Sequence, residues 1–111
     1  MGKFVIGDVV AVPFPFSDLS NNKLRPAIVL ATTDYGDLIL CQITSKQGIS
    51  KKSVSIDTSD FEEGNLPLKS YVRTEKLFTA EDTIIVKRRG RLNSQKFNVI
   101  VKLVKDNFLE L

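Results

Sequence analysis

Two arginines, one carboxylate and one hydroxyl stand out in this sequence for the chemistry that their types and positions allow. Arg25 closes the polar stretch "NNKLR" and is followed at once by the apolar run "PAIVLAT". Pro26 pushes the residue before it towards extended backbone, and its missing N–H is tolerated at the start of a strand. Arg25 is therefore expected at a rigid loop–strand junction, with its charge aimed from the rim. In "SYVRTEKLF", alternation along a strand puts Tyr71, Arg73 and Glu75 on one face, with Arg73 and Glu75 about 6–7 Å apart at the backbone. Val72, Thr74 and Phe78 take the other face, the expected core side. In "LILCQITS", Ile39, Cys41 and Ile43 form an apolar set, while Gln42 and Thr44 share the face that turns polar. Together the four residues form a toolkit for phosphodiester chemistry that uses neither metal nor histidine. Singly, each also fits a plain structural role: a strand-opening ion pair, a solvated pair, a good β-former.

Composition narrows the options. The chain has 111 residues, no histidine, no tryptophan and one cysteine. Without histidine there is no zinc site of the common kind and no Ser-His-Asp triad, so acid–base work falls to carboxylates, hydroxyls or arginines. No metal or other cofactor is expected. The single Cys41 excludes an internal disulfide framework, suits a reducing cytoplasm, and reads within its apolar run as a small buried hydrophobe. No apolar run approaches the ~20 residues of a membrane span and there is no signal-peptide pattern, so a soluble cytoplasmic protein is expected.

Charge is uneven. The net charge of +3 only permits a polyanionic partner, but "KRRGR" at Lys87–Arg91 concentrates cations while acids gather between Asp57 and Glu63. A basic cluster of this kind is the usual footprint of a phosphate backbone, and equally the look of a solvated strand end.

The elements that must position these residues are short. "VIGDVVAVPFPF" opens with a Gly-Asp turn signal and alternates Val10, Val12, Phe14 and Phe16, with Pro13 and Pro15 on the opposite parity of a strand that leaves the sheet interior or borders an edge. "PAIVLAT" reads as a central strand buried on both faces, and "DYGD" as a hairpin turn into "LILCQITS". Further strands are expected at "SVSID", "SYVRTEKLF" and about Thr83 to Leu92, with an acidic loop through "EEGNLPL". From Ser94, the spacing of Phe97, Ile100, Val101, Val104 and Phe108 predicts an amphipathic helix capped by Asn93 or Ser94. The expected fold is mainly β, a small, strongly curved antiparallel sheet or partial barrel with a C-terminal helix, in one domain over residues 1–111.

In order along the chain, "GDVVAVPFPFSDLSNNKLRPAIVL", "QITS", "GNLPLKSYV", "VRTEKLFT" and "RRGRLNSQKFNVI" resemble the PemK/MazF-like family, the toxins of bacterial type II toxin–antitoxin modules. The resemblance covers nearly the whole chain. It implies an SH3-like barrel with a C-terminal helix, usually a homodimer, that cleaves single-stranded RNA without metal and is restrained by an antitoxin. Carried over by position, the family's functional residues are Arg25 and Thr44, with Arg73 and Glu75 matching the arginine and acid of one branch. Some relatives have a histidine in the first loop; here "SDLSNNK" has none, and Asp18 is the nearest ionisable group. The implied reaction is attack of the RNA 2′-OH on the adjacent phosphate, giving a 2′,3′-cyclic phosphate and a 5′-OH. Ser17, Asp18, Lys23, Gln42, Ser45, Lys46, Lys51 and Lys52 are the expected substrate contacts. The expected partners are single-stranded RNA and an acidic antitoxin encoded by a neighbouring gene. The alternatives are a CcdB-like toxin that inhibits DNA gyrase by binding and an inactive RNA-binding module.

Overall fold

Among the described residues, seven strands form one antiparallel sheet. In chain order they are β1 (Asp8–Phe14), β2 (Lys23–Thr32), β3 (Asp37–Thr44), β4 (Ser53–Ile56), β5 (Phe61–Gly64), β6 (Ser70–Glu81) and β7 (Lys87–Leu92), followed by helix α1 (Ser94–Leu109). Across the sheet they run β4-β6-β3-β2-β1-β7-β5, curled into a half-barrel. This computed structural model describes residues 3–14, 23–46 and 51–109, so Ser17 and Asp18 lie outside the described residues.

Both faces of the sheet carry apolar side chains. One cluster joins Val9, Ile28, Cys41, Ile43, Val72 and Ile56 to Ile100 and Val104 of α1. The other joins Val10, Val12, Ala27, Val29, Leu40 and Ile85. Strand β2 feeds both, as its unbroken apolar run requires. Ile28, Leu40, Ile43 and Ile100 are fully buried, each worth about 1.5–3 kcal/mol of transfer free energy. Helix α1 starts where Asn93 Oδ1 accepts the Lys96 N–H at 2.8 Å, the capping contact expected there. Its packing stripe differs at one end: Leu103 packs on the core, whereas Phe108 is exposed.

Three segments depart from the sequence reading. The acidic stretch is not only loop, since Thr58–Asp60 is a 3-10 turn capped by Asp57 and β5 follows as an edge strand. Strand β5 can lie against β7 because Gly64 and Gly90 are cross-strand partners. A Cβ on Gly64 would meet the Arg89 carbonyl at 2.3 Å, so alternation of side chains says nothing about this pairing. The last strand begins at Lys87 rather than near Thr83, because Asp82–Ile84 form a second 3-10 turn. Phe78 leaves the core side of Val72 and packs with the Val10 cluster instead. A register shift in β6 is the cause, as described next.

Candidate active site

The ladders bring the four residues of interest onto three adjacent strands. Arg25 is the cross-strand partner of Val12, so its side chain leaves β2 on the face of the Val10–Val12 cluster. Ala27, two residues on, pairs with Gln42 of β3. Thr44, two residues beyond Gln42, pairs with Tyr71 of β6. Arg73 follows Tyr71 by two residues and pairs on its other side with Ser53 of β4. By alternation, Arg25, Gln42, Thr44, Tyr71 and Arg73 therefore share one face. Thr44 Oγ1 accepts the Lys46 N–H at 3.1 Å, which leaves its hydroxyl hydrogen for another acceptor.

Strand β6 is irregular where the dyad sits. Cys41 pairs with Leu77 and Ile43 with Val72, so Gln42 alone stands opposite Arg73, Thr74, Glu75 and Lys76. Such a bulge bends the strand and re-aims its side chains. Arg73 Nε lies 3.7 Å from Glu75 Oε1, an ion pair too long to be a hydrogen bond. Arg73 Nε and Gln42 Oε1 are both buried with no hydrogen-bond partner among the described residues. Thr74, fully buried between the two dyad members, donates to the Lys52 carbonyl and accepts from Asn107 Nδ2 of α1 at 3.1 Å. Cys41 is no nucleophile: burial, and then the charge of Glu75, push its thiol up to about 12.

Arg25 also borders a groove of about 280 Å³ at the end of the sheet where β2 begins and β3 ends. Lys87, Arg89, Ser45 and Ser70 line it, and Leu24, Pro26, Leu66 and Leu68 give it an apolar wall. A larger hollow of about 600 Å³ is bordered by Asp34, Asp37 and Asp82, the wrong sign for a phosphate. Of the other expected contacts, Lys23, Lys46 and Lys51 are exposed and Lys52 is half-buried. The groove's Lys87, Arg89 and Ser70 are not residues that spacing or the family resemblance marks as site residues. The only signal for the first two was "KRRGR", and nothing marked Ser70.

Residues 6–108 match the family described as the PemK-like, MazF-like toxin of type II toxin–antitoxin systems. The chain belongs to that family. It is a type II toxin of the PemK/MazF kind, and similar solved structures share its half-barrel. An endoribonuclease from Mycobacterial species in complex with its cognate antitoxin is 15% identical, with a TM-score of 0.75, covering 95% of this chain and 94% of that one. A second endoribonuclease from Mycobacterial species is 17% identical, with a TM-score of 0.73 and coverage of 97% and 93%. MazF from Deinococcus radiodurans is 16% identical, with a TM-score of 0.72 and coverage of 93% and 94%. At such identities the likeness is one of fold. No curated protein sequence matches this toxin. Among the described residues no helix of the toxin is long and apolar enough to cross a membrane, and no group of three or more metal-binding side chains occurs.

Proposed function

We propose that this toxin is an endoribonuclease that cleaves single-stranded RNA through the RNA's own 2′-OH. The observation that carries the reading is the common face on which Arg25 and Thr44 stand beside the Arg73–Glu75 pair, two guanidiniums and a carboxylate within three neighbouring strands. Glu75 takes the proton of the 2′-OH, whose oxygen attacks the adjacent phosphorus. Arg73 Nε, 3.7 Å from Glu75 Oε1, holds that carboxylate on the reacting face. The dianionic phosphorane then meets the planar donor fork of Arg25, while Thr44 donates to a non-bridging oxygen. An arginine rarely gives up a proton, so the departing 5′-oxygen takes its proton from solvent, and Glu75 returns to solvent the proton it took. Products are a 2′,3′-cyclic phosphate and a 5′-OH. No step in this scheme uses a metal ion.

The partners follow from the reaction. An uninhibited RNase would be lethal to its host, so an acidic antitoxin encoded beside this gene binds a toxin homodimer in the cytoplasm and covers the cationic surface. The two solved relatives described as endoribonucleases, one of them with its cognate antitoxin, support this reading by likeness. The test is to incubate the purified toxin with single-stranded RNA in excess EDTA and analyse the ends. Cleavage giving cyclic phosphate or its hydrolysed form is expected. Strict magnesium dependence or 5′-phosphate products would overturn the scheme. No cleavage together with gyrase inhibition would favour a toxin that acts by binding.

A further inference from the structure

Some acids of this chain have cation partners, and the acids that gather at one end of the sheet do not. Asp8 is 1% exposed, and its Oδ1 accepts from Arg88 Nε and from Arg91 Nε, both at 3.0 Å. A bulge at Arg89, where Val10 pairs with Arg88 but Val9 with Gly90, turns both arginines towards that carboxylate. Glu63 takes the other ends of the two guanidiniums, at 3.0 Å from Arg88 Nη2 and 3.4 Å from Arg91 Nη1. Asp60 and Asp106 each stand beside a lysine, and Glu75 beside Arg73. Asp34, Asp37, Glu81 and Asp82 have no cation within ion-pair distance among the described residues.

These four gather where the turn between β2 and β3 meets the end of β6. The Asp82 N–H donates to the Gly36 carbonyl at 3.3 Å, and Asp37 and Glu81 are cross-strand partners. The next pair, Leu38 with Ala80, belongs to the Val10 cluster, so by alternation Asp37 and Glu81 stand on the other face of the sheet. Like charges directly opposite one another destabilise a ladder. On the Leu38 face, this end opens into the hollow of about 600 Å³ that Asp34 and Asp82 border. Phe4, Val5, Ile6 and Leu38 make it apolar, and Val5 is 46% and Ile6 53% exposed. Tyr35, in the turn beside it, is almost fully exposed. The reacting residues are at the far ends of β2 and β3. Strand β3 is eight residues long, which at about 3.3 Å per residue puts Asp37 about 23 Å from Thr44.

An exposed apolar patch with a polar rim marks a surface for a partner, and here the sign of the rim says which. Carboxylates repel RNA and an acidic protein segment alike. No group of three or more metal-binding side chains occurs among the described residues. We propose that the hollow docks a basic segment of another protein, with an apolar side chain seated against Phe4, Val5 and Ile6 and lysines or arginines set against Asp34 and Asp82. The cations of such a segment also offset the repulsion between Asp37 and Glu81 that the free toxin carries. The chain as a whole has a net charge of +3, so the segment is drawn by the local charge of this end and not by net charge. The docking surface is separate from the reacting face and does not depend on the RNA chemistry proposed there.

The test uses the full-length toxin and a short fluorescent peptide of alternating lysine and leucine, with binding read by anisotropy. Unlabelled lysine–serine and glutamate–leucine peptides of the same length serve as competitors. The lysine–leucine peptide should bind, the lysine–serine peptide should compete weakly, and the glutamate–leucine peptide should not compete. Asp34→Asn and Asp82→Asn should each weaken binding about two- to fivefold, the scale of an exposed ion pair. Ile6→Ser should weaken it about five- to tenfold, through the half of that side chain still open to water. Glu62→Gln, at an exposed acid of β5, should change nothing. Melting temperatures of Asp34→Asn and Asp82→Asn should stay near the wild type, so their weaker binding is not a loss of fold. Asp37→Asn should raise the melting temperature by removing the like-charge pair. No binding of the lysine–leucine peptide, wild-type affinity in Asp34→Asn, Asp82→Asn and Ile6→Ser, or a loss in Glu62→Gln as large as theirs would each overturn the docking site. An assembly of toxin copies that dissociates on Ile6→Ser and Asp82→Asn would make the hollow an interface between copies, and that too would overturn it.

Discussion

Asn107 in the last turns of α1 and Thr74 in the bend of β6 are joined by a hydrogen bond of 3.1 Å. Thr74 passes the connection on to the Lys52 carbonyl, just before β4. Helix, bend and β4 are thereby tied at a point flanked by Arg73 and Glu75. Thr74→Val keeps the shape and strands both partners, at a cost of about 1–3 kcal/mol. Urea unfolding should show that loss, and Thr74→Ser should recover most of it. Cleavage by the folded Val variant should also fall, because the dyad loses its anchor. A Val variant as stable and active as the wild type would remove the anchor.

Arg25→Ala and Thr44→Ala should each fold and lose at least about a hundredfold in single-turnover cleavage, the scale of one transition-state contact. Arg25→Lys should restore little, because an ammonium cannot reproduce a planar fork. Near-normal rates in both alanine variants would mean the reaction is carried elsewhere.

Gln42 is 6% exposed, and its Oε1 lacks a partner among the described residues. An unsatisfied buried acceptor costs about 1–3 kcal/mol, which an apolar isostere avoids. Gln42→Leu should therefore raise the unfolding midpoint while slowing cleavage, the trade expected of a side chain kept for substrate. A drop in stability would instead make Gln42 a structural residue.

Asp8 should be among the costliest polar positions to change. Asp8→Ala leaves Arg88 and Arg91 without their shared carboxylate and frees the Val5 N–H, now 3.0 Å from Asp8 Oδ2. The arginines left behind are about a third exposed and keep Glu63, so the loss is that of charged hydrogen bonds, about 1.5–3 kcal/mol, and chemical denaturation should report a change of that order. A change within about 0.5 kcal/mol, the scale of ordinary surface substitutions, would contradict the network.

The Cys41 thiol gives a pH signature. Its pKa rises from an ordinary 9.0 to about 12 in the folded protein, so the folded state holds the proton more tightly than the unfolded one. The stabilisation is fully present below pH 9 and is lost as pH climbs towards 12. The stability difference between wild type and Cys41→Val should be flat at neutral pH and shift against the wild type above pH 9. A difference that stays flat to high pH would mean the thiol is not held protonated.

Much was open to a reading of residue types and spacing. The apolar run after Pro26 announced a strand buried on both sides, and the Phe97–Val104 spacing announced α1, because both patterns are local consequences of burial. Alternation alone was enough to pair Gln42 with Thr44 and Tyr71 with Arg73; Glu75 lies in the bulge and meets Arg73 through an ion pair. The ordered motifs from "GDVVAV" to "RRGRL" were enough to mark the family. What alternation cannot see is a change of register. The β6 bulge moved Phe78 to the other cluster, and the β7 bulge split "KRRGR" into two structural arginines and two groove-facing cations.

By itself, then, the order of residues determined most of the elements and the mainly β architecture with its closing helix, and face-sharing only where a strand keeps its register. These depend on backbone sterics and on hydrophobic period, which act over a few neighbours. Tertiary structure decided which faces meet: that Ala27 lies across from Gln42 and Thr44 from Tyr71, and so puts Arg25 on a common face with Arg73. It also decided that Asp8 claims Arg88 and Arg91, and that Gly64 lets β5 close on Gly90. Those outcomes depend on strand order and on one-residue shifts of register, set by packing between segments distant in the chain, and no local pattern records them.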